Sequence, residues 1–553
     1  MLQALIKSIT KKEWCFFIII TVFIIITTTI PYIYGWYKTP PDSTYSGLHS
    51  LTPGDIHVYF SYIEQARQGH LVQLDLYSGE PQGRVMFNGF WSFTGILAKA
   101  FHLSNIVVFQ LVRILFIPLL LFILYLLTVY YFPNPRWRLV GFIFLVFASG
   151  LGAAFSFVLE NNVYKKGWYN WPLDLWAAES NTLLTMLQSG HLVLSTGLII
   201  ATLFLFFISL EHKKIKYSII SGFLALILFQ FHPFHVPTIF AVIGIYILYL
   251  FIKNKKIGFN ILKHAFIFFA ISSPSLAYYF WLSRSDFFTQ MRTYQNICLT
   301  PSWWVTIISY GFILAFTVYG SYQLFKNKKL ENKYIFLVVW IVAQSILVYS
   351  PLPWQRRMLQ GLQIPLGILA VWGLYYFFYF LKRKISPQNF NFFVNNKYLA
   401  VILFIIFFCP SQIFNWVREF SIFTDKRYIE QLYPKNDKLI AFHWLKDNAT
   451  LDNVILSDII NGNLIPGITG RKVFAGHGVE TLFFGSKSEQ VLWFYKINNL
   501  DDKKKKFLKE NDINFIFFSE SEAEVGDFEP GQKNYLREVY RSGQVYIYRV
   551  MLE

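Results

Sequence analysis

Thr52-Pro-Gly-Asp55-Ile-His57-Val-Tyr59-Phe-Ser-Tyr62-Ile-Glu64-Gln-Ala66-Arg67-Gln-Gly69 follows directly after the first hydrophobic span, and its reading organises the rest of the chain. Pro53 and Gly54 make a turn and Asp55 is a residue type that caps helices. Tyr59, Tyr62, Ile63 and Ala66 then recur at helical spacing until Gly69 stops the pattern. An acid at the mouth of an amphipathic helix beside a membrane has two readings that can coexist. It caps the helix, or it acts as a general base, taking the proton of a hydroxyl as that hydroxyl attacks an electrophilic carbon.

The membrane enters through composition. Of 553 residues, 54% are hydrophobic, 20% aromatic and only 15% charged, which excludes an ordinary soluble domain and implies a polytopic membrane protein. Cys15, Cys298 and Cys409 are far apart and unpatterned, so neither a disulfide framework nor a thiolate metal site is indicated. The net charge of +18 divides unevenly. Residues 417–553 hold 19 Lys/Arg against 20 Asp/Glu, net −1, leaving 31 against 12, net +19, for residues 1–416. Basic charge beside hydrophobic spans marks membrane loops rather than nucleic-acid binding.

Trp14–Tyr34, preceded by Lys7, Lys11 and Lys12, reads as a first span entered from the cytoplasm. Further spans fit 105–131, 139–159, 191–210, 217–234, 236–252, 264–282, 303–325, 334–350, 359–381 and 398–416, eleven in all. Threaded alternately, they place 20 Lys/Arg on one side and 10 on the other. The positive-inside rule then sets the N-terminus in the cytoplasm of a multi-pass cell-membrane protein and the C-terminus outside. The tip His232-Pro-Phe-His235 could instead be re-entrant. Nine of the twelve Asp/Glu before residue 417 fall in outside loops: Asp42, Asp55, Glu64, Asp75, Glu80, Glu160, Asp174, Glu179 and Asp286.

Outside loops 36–104 and 160–190 are long and carry helical patterns of their own, so the working face is expected there. Val85–Leu103 reads as a helix lying in the membrane interface or as a buried connector. Residues 1–416 form the transmembrane domain. Residues 417–553 read as an extracytoplasmic α/β domain, with a helix at Leu439–Lys446, apolar runs at Val454–Ser457, Phe515–Phe518 and Val545–Tyr548, and a Lys-rich helix at Asp501–Glu510.

Four further places carry chemistry. Ser350-Pro-Leu-Pro353-Trp-Gln-Arg356-Arg357-Met-Leu-Gln-Gly361 puts two arginines on the side where positive charge is scarce. A guanidinium there binds a lipid phosphate and stabilises charge on a phosphate leaving group, or it merely snorkels to headgroups. His191, at the entrance of a span, suits phosphate or sugar as well as interfacial capping. His232 and His235 have i,i+3 spacing usable by a metal, but no further ligand is fixed. His477, in Arg471-Lys-Val-Phe-Ala-Gly476-His477-Gly478-Val-Glu480, sits in a Gly-rich loop whose default reading is a structural turn.

The order of these features resembles the GT-C glycosyltransferases that use polyprenyl-phosphate sugars. The matching parts are a first span, an outside loop opening with Gly-Asp55-x-x-x-Tyr59 and then Ala66-x-x-Gly69, an interfacial helix, many spans and a final α/β domain. The resemblance covers essentially the whole chain and rests on architecture and short motifs, of the protein mannosyltransferase and aminoarabinose transferase type. It implies a mainly α fold and a membrane glycosyltransferase acting on the extracytoplasmic face. There Asp55 would be the base of an inverting displacement, with Arg356 and Arg357 on the polyprenyl phosphate. His191, Glu179, Tyr59 and His477 would bind substrate, and Asp174 could stand in for Glu179. Tyr59, Trp91, Trp168 and Trp171 could stack on sugar or flank lipid. The acceptor could be a glycan, a lipid or a protein. No metal ligand set or cofactor is fixed, though in some branches the first-loop acid belongs to a metal site, so a divalent cation is admitted.

Departures are also visible. There is no Trp-Trp-Asp-Tyr-like motif, which disfavours the oligosaccharyltransferase branch, and no paired Asp-Glu at Asp55 as protein O-mannosyltransferases are expected to show. No Walker loop or Rossmann fingerprint appears. A transporter or flippase is the main alternative. It would predict charges inside spans and internal repeats, whereas only Arg113 is clearly intramembrane and no repeat is seen. A catalytically silent scaffold is a third reading.

Overall fold

The computed structural model describes residues 1–49, 53–159, 169–256, 258–327, 331–388 and 396–552. Thr52, Glu160 and Trp168 lie outside the described residues. Each of the eleven expected spans falls on helical residues, but 139–159 is divided between Pro135–Phe147 and Gly152–Leu159, and 398–416 is divided as well. Eight are long and apolar enough to cross a bilayer: Lys11–Tyr37, Asn105–Tyr131, Pro135–Val158, Gly190–Glu211, Pro233–Asn254, Phe259–Ser285, Trp303–Lys326 and Gln355–Lys384. Ile215–Phe231 and Asn332–Leu347 have 17 and 16 residues. At 1.5 Å per residue they reach about 25 Å, short of a hydrocarbon core of about 30 Å.

The stretch expected to span at 398–416 is broken, its halves Tyr398–Phe408 and Pro410–Thr424 meeting at 72°. Pro410 explains the break: it has no N–H to continue the ladder, and it drives Cys409 out of helical conformation (φ −121°, ψ 6°). Beyond the bend, Ser411, Gln412 and Asn415 are buried while Ile413, Trp416 and Val417 are exposed. That is the inverse of a soluble helix and suits a membrane interface.

Contacts divide the chain into two compact units. The first is Met1–Thr29, Val112–Phe280 and Ile297–Arg418; the second is Ile30–Leu111, Trp281–Asn296 and Glu419–Glu553. The second unit begins its last segment near the expected 416/417 boundary but also takes in most of the first loop.

In the first unit, Trp303–Lys326 lies against Gln363–Lys384 with almost no space between backbones. A Cβ on Gly320 would sit 2.2 Å from the Leu369 carbonyl, and one on Gly373 2.1 Å from that of Phe316. Arg113 is fully buried, donating to the Met186 carbonyl at 3.0 Å and the Thr29 hydroxyl at 3.1 Å, so this intramembrane charge is held in place.

The second unit is built around the helix Pro53–Arg67, which buries Ile56 through Ala66 apart from Tyr59. Its side chains at three- and four-residue spacing meet two neighbours. Against Gly89–Ala100 it packs so closely that a Cβ on Gly95 would lie 2.4 Å from that of Ala66. Against Ile459–Thr469, a Cβ on Gly467 would lie 2.8 Å from the His57 carbonyl. Near the end of the helix, Glu64 is buried and meets Lys446 Nζ at 2.7 Å and Asn105 Nδ2 at 3.2 Å. Gly89–Ala100 buries Phe90, Trp91 and Ala98 as a connector does and exposes Phe93 and Ile96 as an interfacial helix does.

Strands β1 (Val72–Gln73) and β2 (Met86–Phe87) pair antiparallel within the first loop. The C-terminal segment holds a five-stranded sheet in the order β4-β3-β5-β7-β6. Its strands are β3 (Val454–Leu456), β4 (Lys472–Val473), β5 (Ile513–Phe518), β6 (Leu536–Ser542) and β7 (Val545–Val550). The β3–β4 and β3–β5 pairs are parallel, and β5–β7 and β6–β7 are antiparallel. Phe494, Tyr495, Leu508 and Ile516 lie in its core. The expected apolar runs are thus β3, β5 and β7, and the Lys-rich helix runs over Asp501–Glu510.

Candidate active site

Asp55 and His477 meet in the second unit. Asp55 is the third residue of the helix Pro53–Arg67, so it lies in the first turn and is not the cap the sequence suggested. In the first turn its carboxylate still profits from the positive end of the helix. Its side chain is 39% exposed, and Oδ1 lies 3.0 Å from His477 Nε2. On the other side of the ring, Nδ1 accepts from the backbone N–H groups of Val479 at 3.3 Å and Glu480 at 3.2 Å. The ring edge meets Tyr77, with centroids 5.9 Å apart. Burial pulls the imidazole pKa down, but the Asp55 hydrogen bond and the carboxylates of Asp55, Glu480 and Asp75 outweigh it, and the net shift is upward.

Around this pair is a polar cluster that sequence reasoning missed. Arg292 Nη2 lies 2.5 Å from Glu480 Oε2 and donates to the Tyr62 hydroxyl at 3.0 Å, and its Nε is 3.8 Å from Asp75 Oδ2. Asp75 is buried; burial and then the nearby Glu480 raise its pKa, against the pull of Arg292. The scarcity argument that singled out Arg356 and Arg357 applies equally to Arg292, and Asp75 stood among the loop acids. A helix at Phe287–Gln295, capped by Asp286 on the Thr289 amide, is what brings the guanidinium in.

Tyr59 lies in the same unit, stacked on Trp91 with centroids 4.7 Å apart and planes 16° apart. Trp91 is 4% exposed and stacks in turn on Phe109, so its face is engaged by protein rather than offered to sugar, which corrects that expectation.

Arg356, Arg357, His191 and Glu179 lie in the first unit, on a scaffold of its own. The 3-10 turn Gln355–Leu359 carries both arginines, and the Arg356 amide donates to the Cys298 carbonyl at 3.1 Å. The Arg356 guanidinium lies over Trp176 at 4.3 Å and that of Arg357 over Phe234 at 4.5 Å. Each is a planar cation on an aromatic face, a stacking that engages the plane of the guanidinium rather than its N–H edge. Glu179 is partly exposed in the turn Ala178–Ser180, which packs against the arginine turn.

His191 Nδ1 is 2.8 Å from the Ser189 hydroxyl, and its ring meets that of His232 at 5.8 Å. His232 Nδ1 lies 3.1 Å from His235 Nε2, which also lies 2.7 Å from Gln360 Oε1. An amide oxygen only accepts, so His235 Nε2 carries the proton. Gln360 donates to the Leu192 carbonyl at 2.9 Å and faces the hydroxyls of Ser195 and Thr196 at 2.7 and 2.8 Å. It is the hub of this cluster, and it stood unremarked in the quoted arginine stretch.

Trp171 packs near Phe414, with centroids 6.3 Å apart. Asp174, offered as an alternative to Glu179, is buried and accepts from the Gly152 amide at 3.1 Å, a structural position that corrects the expectation of substrate contact. Burial pushes its carboxyl up to about 7. Among the described residues no group of three or more His, Cys, Asp or Glu is disposed to hold a metal ion.

Among the described residues, eight long apolar helices and a C-terminal mixed sheet make a mainly α polytopic membrane protein with a C-terminal α/β segment. No protein-family model matches the sequence, and no curated protein matches it. Among solved structures, the chain is similar to the apo oligosaccharyltransferase of Archaeoglobus fulgidus, at 13% identity over 92% of this chain and 70% of that one, with a TM-score of 0.59. It is also similar to the oligosaccharyltransferase AglB of the same organism in complex with an inhibitory peptide and a dolichol-phosphate. The figures there are 12% identity, 92% and 69% coverage, and a TM-score of 0.57. ArnT from Cupriavidus metallidurans bound to undecaprenyl phosphate aligns at 11% identity over 96% of this chain and 98% of that one, with a TM-score of 0.46. At these identities the likeness to the two archaeal structures, with TM-scores above 0.5, shows the fold alone.

Proposed function

We propose that the chain is an integral membrane glycosyltransferase moving a sugar from a polyprenyl-phosphate donor to an acceptor hydroxyl on the extracytoplasmic face. The observation that carries this reading is the half-exposed Asp55 carboxylate, held at 3.0 Å by a histidine whose other nitrogen is occupied by two backbone amides. A carboxylate so held is oriented yet accessible, which is what a general base requires. The fold supports the donor class, since the similar archaeal enzyme was solved with a dolichol-phosphate.

In the reaction, the acceptor oxygen forms a bond to the anomeric carbon as the bond from that carbon to the phosphate oxygen breaks. The acceptor proton passes to Asp55 and the polyprenyl phosphate departs. A single displacement of this kind inverts the anomeric centre. Arg356 and Arg357 are assigned to the phosphate, where a stacked guanidinium supplies charge-assisted bonds that strengthen as charge develops. His191 and Glu179 are assigned to substrate, and Tyr59 to packing beside the base. The C-terminal sheet would lie outside the membrane and the N-terminus in the cytoplasm, in keeping with the basic residues of the short loops.

The test is label transfer by purified full-length protein from radiolabelled polyprenyl-phosphate sugars, beside Asp55→Asn. Asparagine keeps an oxygen for His477 but cannot take the proton, so transfer is expected to fall by about 10²–10⁴-fold. Wild-type transfer in the variant removes Asp55 from its role. No transfer by the parent protein with any such donor removes the class.

A further inference from the structure

The helix Phe287–Gln295 grips the loop that carries His477 at several points. Arg292 holds the Glu480 carboxylate at 2.5 Å. Gln295 Nε2 donates to the carbonyls of Val479 at 3.1 Å and Thr481 at 3.0 Å, while its Oε1 accepts from the Phe483 amide at 2.8 Å. Thr481 Oγ1 accepts from the amides of Gly476 and His477, both at 3.1 Å, and donates to the Tyr77 carbonyl at 2.9 Å. These grips bracket the two amides that face the imidazole, those of Val479 and Glu480.

A ring nitrogen that accepts two N–H bonds carries no proton, so in the neutral imidazole the proton is on Nε2 and donates to Asp55. We infer that the helix Phe287–Gln295, through Arg292 and Gln295, is the positioning element that sets the tautomer of His477 and thereby orients the Asp55 carboxylate. Neither residue reaches Asp55 by any contact described; both act through the loop. The catalytic consequence rests on the base role proposed above, whereas the tautomer does not.

The charged and titratable groups facing His477 come from every element around it. They are Asp55 from the helix Pro53–Arg67, Asp75 and Tyr77 from the first loop, and Glu480 from its own loop, which in turn meets Arg292 and Tyr62. Arg292 is the cation that balances Glu480 and Asp75. Without it the two carboxylates act on the imidazole uncompensated and favour its cation. That cation needs a proton on Nδ1, where the amides of Val479 and Glu480 now donate.

The experiment is magic-angle-spinning NMR of the full chain in lipid nanodiscs with ¹⁵N-labelled histidine. The resonances of His477 are identified among the eleven histidines by their loss in His477→Gln. Above its titration midpoint the parent protein is expected to show neutral His477 with the proton on Nε2. In Arg292→Met the midpoint of its titration moves to higher pH and the Nε2–H signature is lost near neutrality, while Arg292→Lys restores part of both. Gln295→Leu removes no charge, and is expected to mix the tautomers without raising the midpoint. If Arg292→Met and Gln295→Leu both keep the Nε2–H form with an unchanged midpoint, the inference is overturned. The result is read without any transfer assay, so it is decided whether or not the transferase reading survives.

Discussion

Asp174→Asn tests how the first unit tolerates a buried carboxyl. Asp174 accepts from the Gly152 amide at 3.1 Å and from the Ser411 side chain, and its other oxygen lies where a Cβ on Gly152 would come within 2.2 Å. Burial raises its pKa from an ordinary 3.8 to about 7. Because the folded value lies above the unfolded one, this group stabilises the fold fully below about pH 3.8. The contribution is lost as pH rises toward about 7 and is gone above it. A shift of about three pH units at 1.36 kcal/mol each corresponds to roughly 4 kcal/mol, of which roughly 2 kcal/mol falls between pH 5 and pH 7. Asparagine has the same shape and no charge at any pH. The assay is the apparent melting midpoint of both proteins in detergent at pH 5 to 8, at one fixed heating rate because such unfolding is commonly irreversible. The midpoint of the parent protein is expected to fall with pH by a few degrees more than that of the variant. Any unpaired donor in the variant is a constant offset and does not alter the slope. Parallel curves from pH 5 to 8 would refute the reasoning, since Asp174 would then ionise as an ordinary carboxylate.

Gly95→Leu introduces a side chain where a Cβ alone would already lie 2.4 Å from Ala66 and 2.6 Å from the Ile63 carbonyl. The neighbouring helix carries Asp55, so the substitution is expected to destabilise by at least about 1–3 kcal/mol and to lower transfer as well; an unchanged melting midpoint would show that the crossing is loose. Arg356→Ala and Arg357→Ala each remove a charge-assisted donor worth about 1.5–3 kcal/mol, so binding of polyprenyl phosphate is expected to weaken about 10- to 100-fold in each. Unchanged affinity in both variants would leave the arginines only their aromatic contacts with Trp176 and Phe234.

What was legible in the sequence is what hydrocarbon and local periodicity write into short windows. Every expected span falls on helical residues, with 139–159 and 398–416 each in two pieces, and β3, β5 and β7 lie on the apolar runs that pointed to them. The departures also have local causes: Pro410 breaks the last span, and the helix that carries Asp55 already includes Pro53, which puts the acid inside the first turn. The candidate site was legible only as separate residues. Asp55 and His477 stand 422 positions apart, and Arg292 and Tyr62 230 apart, separations at which no periodicity survives. Charge economy was the one signal that could have crossed them. On a face expected to hold few cations, Arg292 is as anomalous as the Arg356 and Arg357 pair, and Asp75 and Glu480 are acids that burial would not tolerate without a partner. The partly buried Arg292 guanidinium offsets Glu480 and Asp75, so the loop holds the imidazole by directed bonds as well as by charge. The amides of Val479 and Glu480 supply such bonds, and a sequence has no means of announcing where a backbone N–H will point.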